Sequence, residues 1–396
     1  MTTFVDTAGN PYQLDGQSII KGGEARIHRV RGNESVLAKI YLNPQQERSS
    51  KLTKMLANPP SNPTAKQRHH AYAWPTALLR EASSDVVVGF VMPRMQGMRE
   101  VADFYNPGMR RRTCAHFNYK YLMQTARNIA GIMSELHSKG YIIGDVSQKN
   151  MFVSDGALVT VLDTDSFQFR DSETGMLYLC RVRTWGFIPP EVSAAGRSNL
   201  ERTVHEDLFG LAVLVFHLLM EGVHPFACKF SGVGEPPHEQ ENIISGNFAY
   251  RPISSEFSPR PTAPPFEMLA PELRTLFMRC FVDGHTTPSA RPSALEWRQA
   301  LHRASKELVV CGENPHHYFG NHLGTDCPWC ARVRRQLRDS FPKVVDPPKP
   351  PRQAEQRAEE SAEPAPVPAP VPNKIKWVIF AAVFVFIIVL AIASQI

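Results

Sequence analysis

The chain has 396 residues, of which 43% are apolar and 21% charged, a composition that excludes a disordered or collagen-like protein. Its 44 basic and 38 acidic residues give a net charge of +6, an excess too small to indicate nucleic-acid binding. Seven scattered cysteines do not suit a disulfide-stabilised scaffold. The first residues show no signal-peptide pattern, so we expect most of the chain to fold in a reducing, cytosolic setting.

Strand-like and helix-like segments alternate over roughly the first 305 residues. Apolar residues at helical spacing predict a helix over Tyr119–Ser138, and the apolar run Leu208–Met220 predicts a buried helix. Strands are predicted at Gln17–Ile20, Val36–Tyr41, Val86–Met92, Met151–Val153 and Val159–Leu162.

The segment 141–167 carries three residues that suit phosphoryl transfer. Asn150 follows Asp145 by five positions, and Asp163 comes after a predicted strand pair. One carboxylate can orient a hydroxyl and accept its proton, while Asn and Asp oxygens are hard ligands that suit Mg²⁺. We therefore predict Asp145 as the catalytic base and Asn150 and Asp163 as Mg²⁺ ligands. The alternative is a hairpin in which these residues only cap turns.

A glycine pair near the start of the chain, Gly22 and Gly23, lies between two strand-like segments, and Lys39 lies on the next strand. A glycine turn lets backbone amides approach phosphate groups, and the lysine can then reach the α- and β-phosphates of a nucleotide. The same glycines also suit an ordinary hairpin turn. The nucleotide interpretation therefore depends on the other motifs.

Together these motifs resemble those of a eukaryotic-like protein kinase over roughly residues 13 to 303. IKGGEARI is similar to the Gly-rich loop, GDVSQKN to the catalytic loop and PPE to the end of the activation segment. GFVMPRM, GDVS and LDTDSF resemble most closely a divergent bacterial subgroup found with phosphatase and tellurite-resistance partners, in which a C-terminal accessory region follows the kinase domain. The resemblance implies an α+β, bilobal protein-kinase-like fold over residues 13–305. It further implies ATP and Mg²⁺ as cofactors, a Ser or Thr hydroxyl of a protein as substrate, and a cognate phosphatase as a partner.

The resemblance also implies roles for individual residues. Lys39 is similar to the ATP-binding lysine, and Asp163 to the metal-binding aspartate. Asp207 resembles the aspartate of the large central helix. Arg291 resembles the arginine that pairs with the activation-segment glutamate, here Glu191.

Several positions depart from the family pattern. Ile143 and Gly144 replace the His-Arg of the catalytic loop, which leaves no cation there for an activation-loop phosphate. The acid that should pair with Lys39 is Glu47 or Glu81, and a lysine without a partner would be poorly aimed. Two alternatives to an active protein kinase therefore stay open: a membrane-tethered pseudokinase scaffold, and a small-molecule phosphotransferase with the same fold.

Smaller departures concern the two loops that would face a nucleotide. Ile20 and Ala25 occupy glycine positions of the Gly-rich loop, and Ser147 replaces the lysine that is usual in Ser/Thr kinases. The triplet Asp163-Thr164-Asp165 lacks the phenylalanine of the family, so Asp165 is an alternative metal ligand.

A cysteine- and histidine-rich segment at 306–340 predicts a small zinc module. Cys327 and Cys330 form a C-x-x-C pair, with Cys311 and three histidines upstream. Zn²⁺ takes four nitrogen or sulfur ligands in a closed tetrahedron, and a C-x-x-C turn supplies two of them. We predict Cys311, His317, Cys327 and Cys330 as the ligands, with His316 as the alternative histidine. A redox pair or ordinary cysteines are the other interpretations, although no βαβ unit suited to a redox pair is visible.

The last two segments predict a linker and a membrane anchor. Residues 341–373 include ten prolines, which favours an extended, semi-rigid spacer over helix or sheet. Trp377–Ile396 carries no charge, and about 20 apolar residues cross a hydrocarbon core of about 30 Å. Because Lys374 and Lys376 precede this stretch, we predict a single-pass anchor over 374–396 with the kinase domain on the cytoplasmic side.

Overall fold

A computed structural model describes residues 3–81, 84–195, 201–252 and 256–344. Most of the predicted linker and all of the predicted transmembrane segment lie outside these residues. Among the helices within the described ranges, none is long and apolar enough to cross a membrane.

The N-terminal part is a seven-stranded antiparallel sheet. Its strands are β1 Thr3–Asp6, β2 Pro11–Gln13, β3 Ile20–Lys21, β4 Ala25–Val30, β5 Asn33–Tyr41, β6 Ala77–Glu81 and β7 Val87–Pro93. Their order is β2-β1-β6-β7-β5-β4-β3. The sheet thus includes residues that precede the predicted domain start at residue 13. One face packs around a small core of its own that contains Phe4, Leu79 and Val91, and the other face joins the main core.

One helix, α1 Gln46–Ala57, connects β5 to β6 and packs on the sheet. Its buried residues are Ser49, Lys51, Leu52 and Met55. Ser49, Leu52 and Met55 follow each other at intervals of three, and Lys51 precedes Met55 by four, so they share one face of the helix. The sheet and α1 form the N-lobe.

The C-lobe is mainly helical. Its helices are α2 Val101–Tyr105, α3 Pro107–Thr113, α4 Tyr119–Ser138, α5 Pro190–Ala195, α6 Val204–Leu219, α7 Glu239–Ser245, α8 Pro271–Met278, α9 Gly284–Thr286 and α10 Ala294–Lys306. The bounds predicted for α4 are confirmed. Helix α6 begins four residues before the predicted Leu208, because Thr203 and Glu206 form a capping box that starts the helix earlier. Helix α4 packs between α6 and α10.

Short antiparallel strands complete the C-lobe. They are β8 Met98–Glu100, β9 Met151–Ser154, β10 Val159–Val161, β11 Phe169–Arg170, β12 Leu177–Tyr178, β13 Cys228–Phe230 and β14 Phe257–Pro259. Strands β8, β9 and β10 form a small sheet, and β9 and β10 lie between Asp145 and Asp163 in the chain. Val161 of β10 forms an isolated β-bridge with Tyr72, which precedes β6 of the N-lobe.

The segment that follows α10 belongs to the same core as the helices. It contains β15 Leu308–Val310, β16 Tyr318–Gly320 and α11 Pro328–Arg334. Trp329 packs against Tyr119 of α4, with ring centroids 5.1 Å apart, and against Phe341 at 4.7 Å. Because the buried residues of this segment join the main core, we do not expect the predicted zinc module to fold apart from the C-lobe.

Candidate active site

A buried carboxylate fixes the backbone just before Asp145. The amides of Ile143 and Gly144 donate to the two oxygens of Asp207, at 2.7 and 2.8 Å. His137 lies 3.0 Å from the same carboxylate. Charge-assisted hydrogen bonds in a water-free interior are strong, so the start of the catalytic loop is rigidly attached to α6.

Gly144 is where this chain lacks the arginine of the family. Its φ is +72°, and a Cβ atom there would lie 2.7 Å from the Cβ atom of Cys180. A larger residue therefore needs both a strained backbone and a displaced neighbour. The close packing of Cys180 on Gly144 leaves no room for a larger side chain at this position.

A different arginine fixes the segment after Cys180. The buried Arg202 donates to the backbone oxygens of Cys180 and Val182, at 3.3 and 3.1 Å. Its own backbone is held in turn by Gln168, through two hydrogen bonds of 2.8 Å. These contacts hold the segment through its backbone groups.

Asp145 and Asn150 face each other across the catalytic loop. The side-chain amide of Asn150 donates to the backbone oxygen of Asp145 at 3.1 Å and to its Oδ2 at 3.2 Å. Among the described residues no group donates a hydrogen bond to the buried Oδ1 of Asp145. Asp145 lines a small cleft together with Arg183 and Thr184. Asp145 therefore keeps one oxygen available to accept a proton.

Lys39 connects the two lobes at this site. Its Nζ lies 3.2 Å from Oδ1 of Asp163 and 2.7 Å from Oδ1 of Asp165. The Asp163 side chain is 60% exposed, whereas Asp165 is only 10% exposed and its Oδ2 accepts a hydrogen bond from Tyr41 at 2.8 Å. Asp163 is thus open to a cation, while both oxygens of Asp165 are already in use.

This arrangement corrects two sequence-based interpretations. Glu47 lies on the outer side of α1 and pairs with Arg181 at 3.5 Å, because the face of α1 that meets the sheet begins at Ser49. Glu81 ends β6, opposite Phe4 of β1. Neither acid pairs with Lys39. Asp165 pairs with Lys39 instead, at 2.7 Å.

Lys39 and Asp165 each stabilise the charged form of the other. Burial by itself would lower the pKa of Lys39, but the carboxylates of Asp165 and Asp163 outweigh it and the pKa is raised. Burial would raise the pKa of Asp165, but Lys39 and Tyr41 outweigh it and the pKa is lowered. Lys51 of α1 is 8% exposed, and burial lowers its pKa to about 8. The pair between Lys39 and Asp165 is therefore ionised at neutral pH.

Gly22 and Gly23 lie at the tip of the hairpin between β3 and β4. The amide of Gly22 donates to the backbone oxygen of Ala25 at 2.9 Å. The neighbouring Glu24 forms a 2.8 Å ion pair with Arg48 of α1. The glycine loop is thus connected to the helix beside it, at the same end of the N-lobe sheet as Tyr41, which pairs with Ala25.

The structure also brings together the four side chains predicted to bind zinc. The ligand atoms of Cys311, His317, Cys327 and Cys330 all lie within 4.8 Å of one another. The sulfur atoms of Cys311 and Cys330 are 3.6 Å apart, and Nδ1 of His317 lies 3.5 and 3.4 Å from the sulfurs of Cys327 and Cys330. The alternative histidine, His316, is not in this cluster.

Asp339 supports this cluster from outside. Its Oδ1 lies 2.9 Å from Nε2 of His317 and accepts the amide of Phe341 at 2.9 Å. Its backbone oxygen accepts a hydrogen bond from Arg111 at 3.0 Å. A carboxylate on the second ring nitrogen sets the tautomer and the orientation of a ligating histidine.

Sequence reasoning missed Tyr41 and Asp339, and it considered Asp165 as a metal ligand rather than as the partner of Lys39. Tyr41 follows Lys39 by two positions in one strand, so both side chains lie on the same face, and this spacing is a signal that could have been used. Asp339 has no comparable local pattern, since its contact with His317 spans 22 residues.

Comparisons with known proteins identify relatives of this chain. No family model matches the chain. It is 33% identical over 331 residues to the protein kinase YegI of Escherichia coli O157:H7, covering 82% of this chain and 50% of the relative. With YegI of strain K12 the identity is 33% over 322 residues, covering 80% and 48%. The chain spans about half the length of these curated relatives.

Among solved structures, the chain is similar to ROP2 from Toxoplasma gondii, described as a virulence factor with a protein-kinase fold and no enzymatic activity. The TM-score is 0.50 at 14% identity, over 77% of this chain and 84% of that one, which supports the fold alone. The similarity to YegI and the bilobal fold together show that the chain is a divergent bacterial protein-kinase-like protein.

Proposed function

We propose that the chain is an ATP-dependent protein kinase that transfers the γ-phosphoryl group to a Ser or Thr hydroxyl. The observation that carries this proposal is the meeting of the sequence motifs at one place. Lys39 lies 3.2 Å from Asp163, and Asn150 lies 3.2 Å from Asp145. The two pairs are adjacent, because the amide of Leu162, the residue before Asp163, donates to the backbone oxygen of Asn150 at 2.9 Å. Phosphoryl transfer requires little beyond such positioning and charge stabilisation.

The donor set fits Mg²⁺. Asp163 presents an exposed carboxylate, and Asn150 uses its amide nitrogen toward Asp145, which leaves its amide oxygen for a cation. Oxygen ligands of this kind are those that Mg²⁺ prefers. Mg²⁺ held there would neutralise charge on the transferred phosphoryl group. Lys39 would orient the phosphates, and Oδ1 of Asp145 would accept the hydroxyl proton.

The surface beside the catalytic loop supports a protein as the substrate. A cavity of about 450 Å³ lies next to Gln148, and its lining includes Trp185, His217 and His224. The Trp185 side chain is 75% exposed. A large exposed aromatic residue on such a rim favours contact with a polypeptide.

The test is incubation with γ-labelled ATP, Mg²⁺ and a general protein acceptor, comparing wild type with Asp145→Asn. We expect transfer by the wild type and loss in Asp145→Asn. Asp155→Asn serves as a control, since this exposed residue pairs with Arg99 away from the cleft. Phosphoserine or phosphothreonine should be recovered. ATP binding without transfer by the wild type would favour the pseudokinase alternative instead.

We propose in addition that Cys311, His317, Cys327 and Cys330 hold a structural zinc ion. Zinc–sulfur bonds of about 2.3 Å in a tetrahedron imply sulfur–sulfur edges of about 3.8 Å, close to the 3.6 Å between Cys311 and Cys330. Four protein ligands leave no open position, so the ion would serve the fold rather than catalysis.

We further propose that Trp377–Ile396 anchors the chain in a membrane, with the kinase domain on the cytoplasmic side where ATP is available. The uncharged length of this stretch and the two preceding lysines support the proposal. Deleting Trp377–Ile396 should move the protein to the soluble fraction with its kinase activity retained. Protease added to intact spheroplasts should leave the kinase domain uncut. Digestion of the kinase domain would show that it lies on the opposite side of the membrane and would contradict the proposal.

A further inference from the structure

The acid that pairs with Lys39 comes from the loop that carries Asp163. Asp165 follows Asp163 by two residues, and its Oδ1 lies 2.7 Å from Nζ of Lys39. Lys39 and Asp165 are 126 positions apart in the sequence. A short contact between opposite charges, almost fully shielded from water, orients a lysine strongly.

Tyr41 holds the other oxygen of this carboxylate. Its hydroxyl donates to Oδ2 of Asp165 at 2.8 Å, and Tyr41 itself is buried. Tyr41 and Lys39 lie on the same strand, β5, with one residue between them. The carboxylate is therefore held at two points by a rigid sheet, and its position is set by the strand rather than by a helix.

Helix α1 supplies no acid for this contact. Its one acidic residue, Glu47, pairs with Arg181 on the outer side. The buried face of α1 carries Lys51 instead, and the positive charge of Lys51 acts on Asp165. The helix thus adds positive charge near the carboxylate that Lys39 contacts, and it does not provide the acid.

We propose that Asp165, held by Tyr41, is the residue that positions Lys39 for nucleotide phosphates, so that the site assembles without an acid from α1. This inference rests on the proposed kinase function and specifies how its nucleotide site is ordered. Asp165 is less available to a metal than Asp163, because each of its oxygens already accepts a hydrogen bond. The lysine and the metal ligand Asp163 are then set by a single loop.

The test measures ATP affinity and phosphoryl transfer in Asp165→Asn, Tyr41→Phe and Glu47→Gln. Asp165→Asn keeps the shape of the side chain and removes its charge. It should raise the KM for ATP, and the Kd of a fluorescent ATP analogue, by about tenfold to a hundredfold. The Mg²⁺ concentration for half-maximal activity should stay unchanged, because the metal ligands remain.

Glu47→Gln is the matched control and should change the KM for ATP less than about twofold, since its partner Arg181 lies at the surface. Tyr41→Phe removes one hydrogen bond and should raise the KM by a smaller factor than Asp165→Asn. If a melting curve shows that Asp165→Asn does not fold, the KM of Tyr41→Phe tests whether the held carboxylate positions Lys39.

An unchanged KM and Kd in Asp165→Asn, or an equal loss in Glu47→Gln, would overturn the inference. A shift in Mg²⁺ dependence would show instead that Asp165 is a metal ligand. If the wild type binds ATP but transfers no phosphate, the proposed function fails. The Kd measurements then still test whether Asp165 positions Lys39.

Discussion

Arg291 and Glu191 form a bidentate ion pair, with Nη1 2.7 Å from Oε1 and Nη2 2.7 Å from Oε2. The guanidinium is fully buried, and Glu191 is about one third exposed. Nη1 also donates to the backbone oxygen of His205 at 2.9 Å. The pair therefore joins α5, the start of α6 and the turn before α10, as the family resemblance implied.

Removing the acid from this pair should be costly. Glu191→Ala leaves the Arg291 charge buried without its partner, so we expect the free energy of unfolding to fall by about 3–5 kcal/mol. Glu272→Ala is the control, since it breaks a pair with Arg303 in which both side chains are about half exposed, and it should cost less than about 1 kcal/mol. Urea unfolding measures both, and equal losses would contradict the prediction.

Gly144→Ala should destabilise the protein by about 2–4 kcal/mol, because the new Cβ atom meets Cys180 and the backbone keeps a positive φ. Gly140 has a similar φ of +76° and open space around its Cα atom. Gly140→Ala should therefore show only the backbone part, about 1–2 kcal/mol. Thermal melting compares the two variants, and the same loss in both would show that crowding at Gly144 is unimportant.

Asp163→Asn should reduce phosphoryl transfer by at least about a hundredfold, because a neutral amide binds Mg²⁺ and offsets phosphate charge far less well. Its melting temperature should match the wild type, since the side chain is largely exposed. Initial rates at saturating ATP over a range of Mg²⁺ concentrations test this. Wild-type rates in Asp163→Asn would remove this residue from the site.

Freshly purified protein without residues after Phe341 should contain about one zinc ion per chain. Cys327→Ser should lose the ion and lower the melting temperature of the C-lobe as a whole, because Cys327 belongs to the main core. Cys228→Ser, outside the cluster, should keep it. Metal analysis together with calorimetry measures both effects, and the absence of zinc in unchelated protein would contradict the proposed site.

Asp339→Asn should weaken zinc binding by about tenfold, because an amide orients and polarises His317 less than a carboxylate does. Asp326→Asn is its control, since Asp326 is exposed and is not in the cluster. Competition with a chromophoric chelator gives the affinities. Equal affinities in the two variants would show that the contact of 2.9 Å between His317 and Asp339 does not support the metal.

Stability should fall below neutral pH because of two buried histidines. Burial lowers the pKa of His217 to about 3 and that of His224 to about 4, against about 6.5 in the unfolded chain. Between pH 6.5 and 4 the unfolded chain therefore binds protons that the folded chain does not. The free energy of unfolding should decrease as pH falls through this window, by up to about 1.4 kcal/mol per pH unit for each residue.

The measurement is urea unfolding at pH 7, 6 and 5 with wild type, His224→Gln and His302→Gln. His224→Gln removes one titrating group and should flatten the dependence, whereas the exposed His302 should leave it unchanged. An equally steep dependence in His224→Gln would mean that other groups control acid stability.

Local patterns explain why much of the fold could be predicted. Helix α4 has the predicted bounds Tyr119–Ser138, because its apolar residues repeat at helical spacing over five turns. Local sequence predicts short strands less well: of the predicted strand Gln17–Ile20, only Ile20 lies in β3. Two-residue pairings depend on the neighbouring strand rather than on their own sequence.

Relations between residues a few positions apart follow from the local sequence. Asp145 and Asn150 meet because five positions span one loop, and Cys327 and Cys330 meet because C-x-x-C opens a helix. Contacts between distant segments depend on how the whole chain packs. Lys39 pairs with Asp165, rather than with Glu47 or Glu81, because the packing of the two lobes brings together residues that are 126 positions apart in the sequence. Likewise, residues 308–341 join the C-lobe through Tyr119, Trp329 and Phe341. Apolar side chains can bury each other at any separation along the sequence, so no local pattern predicts this contact.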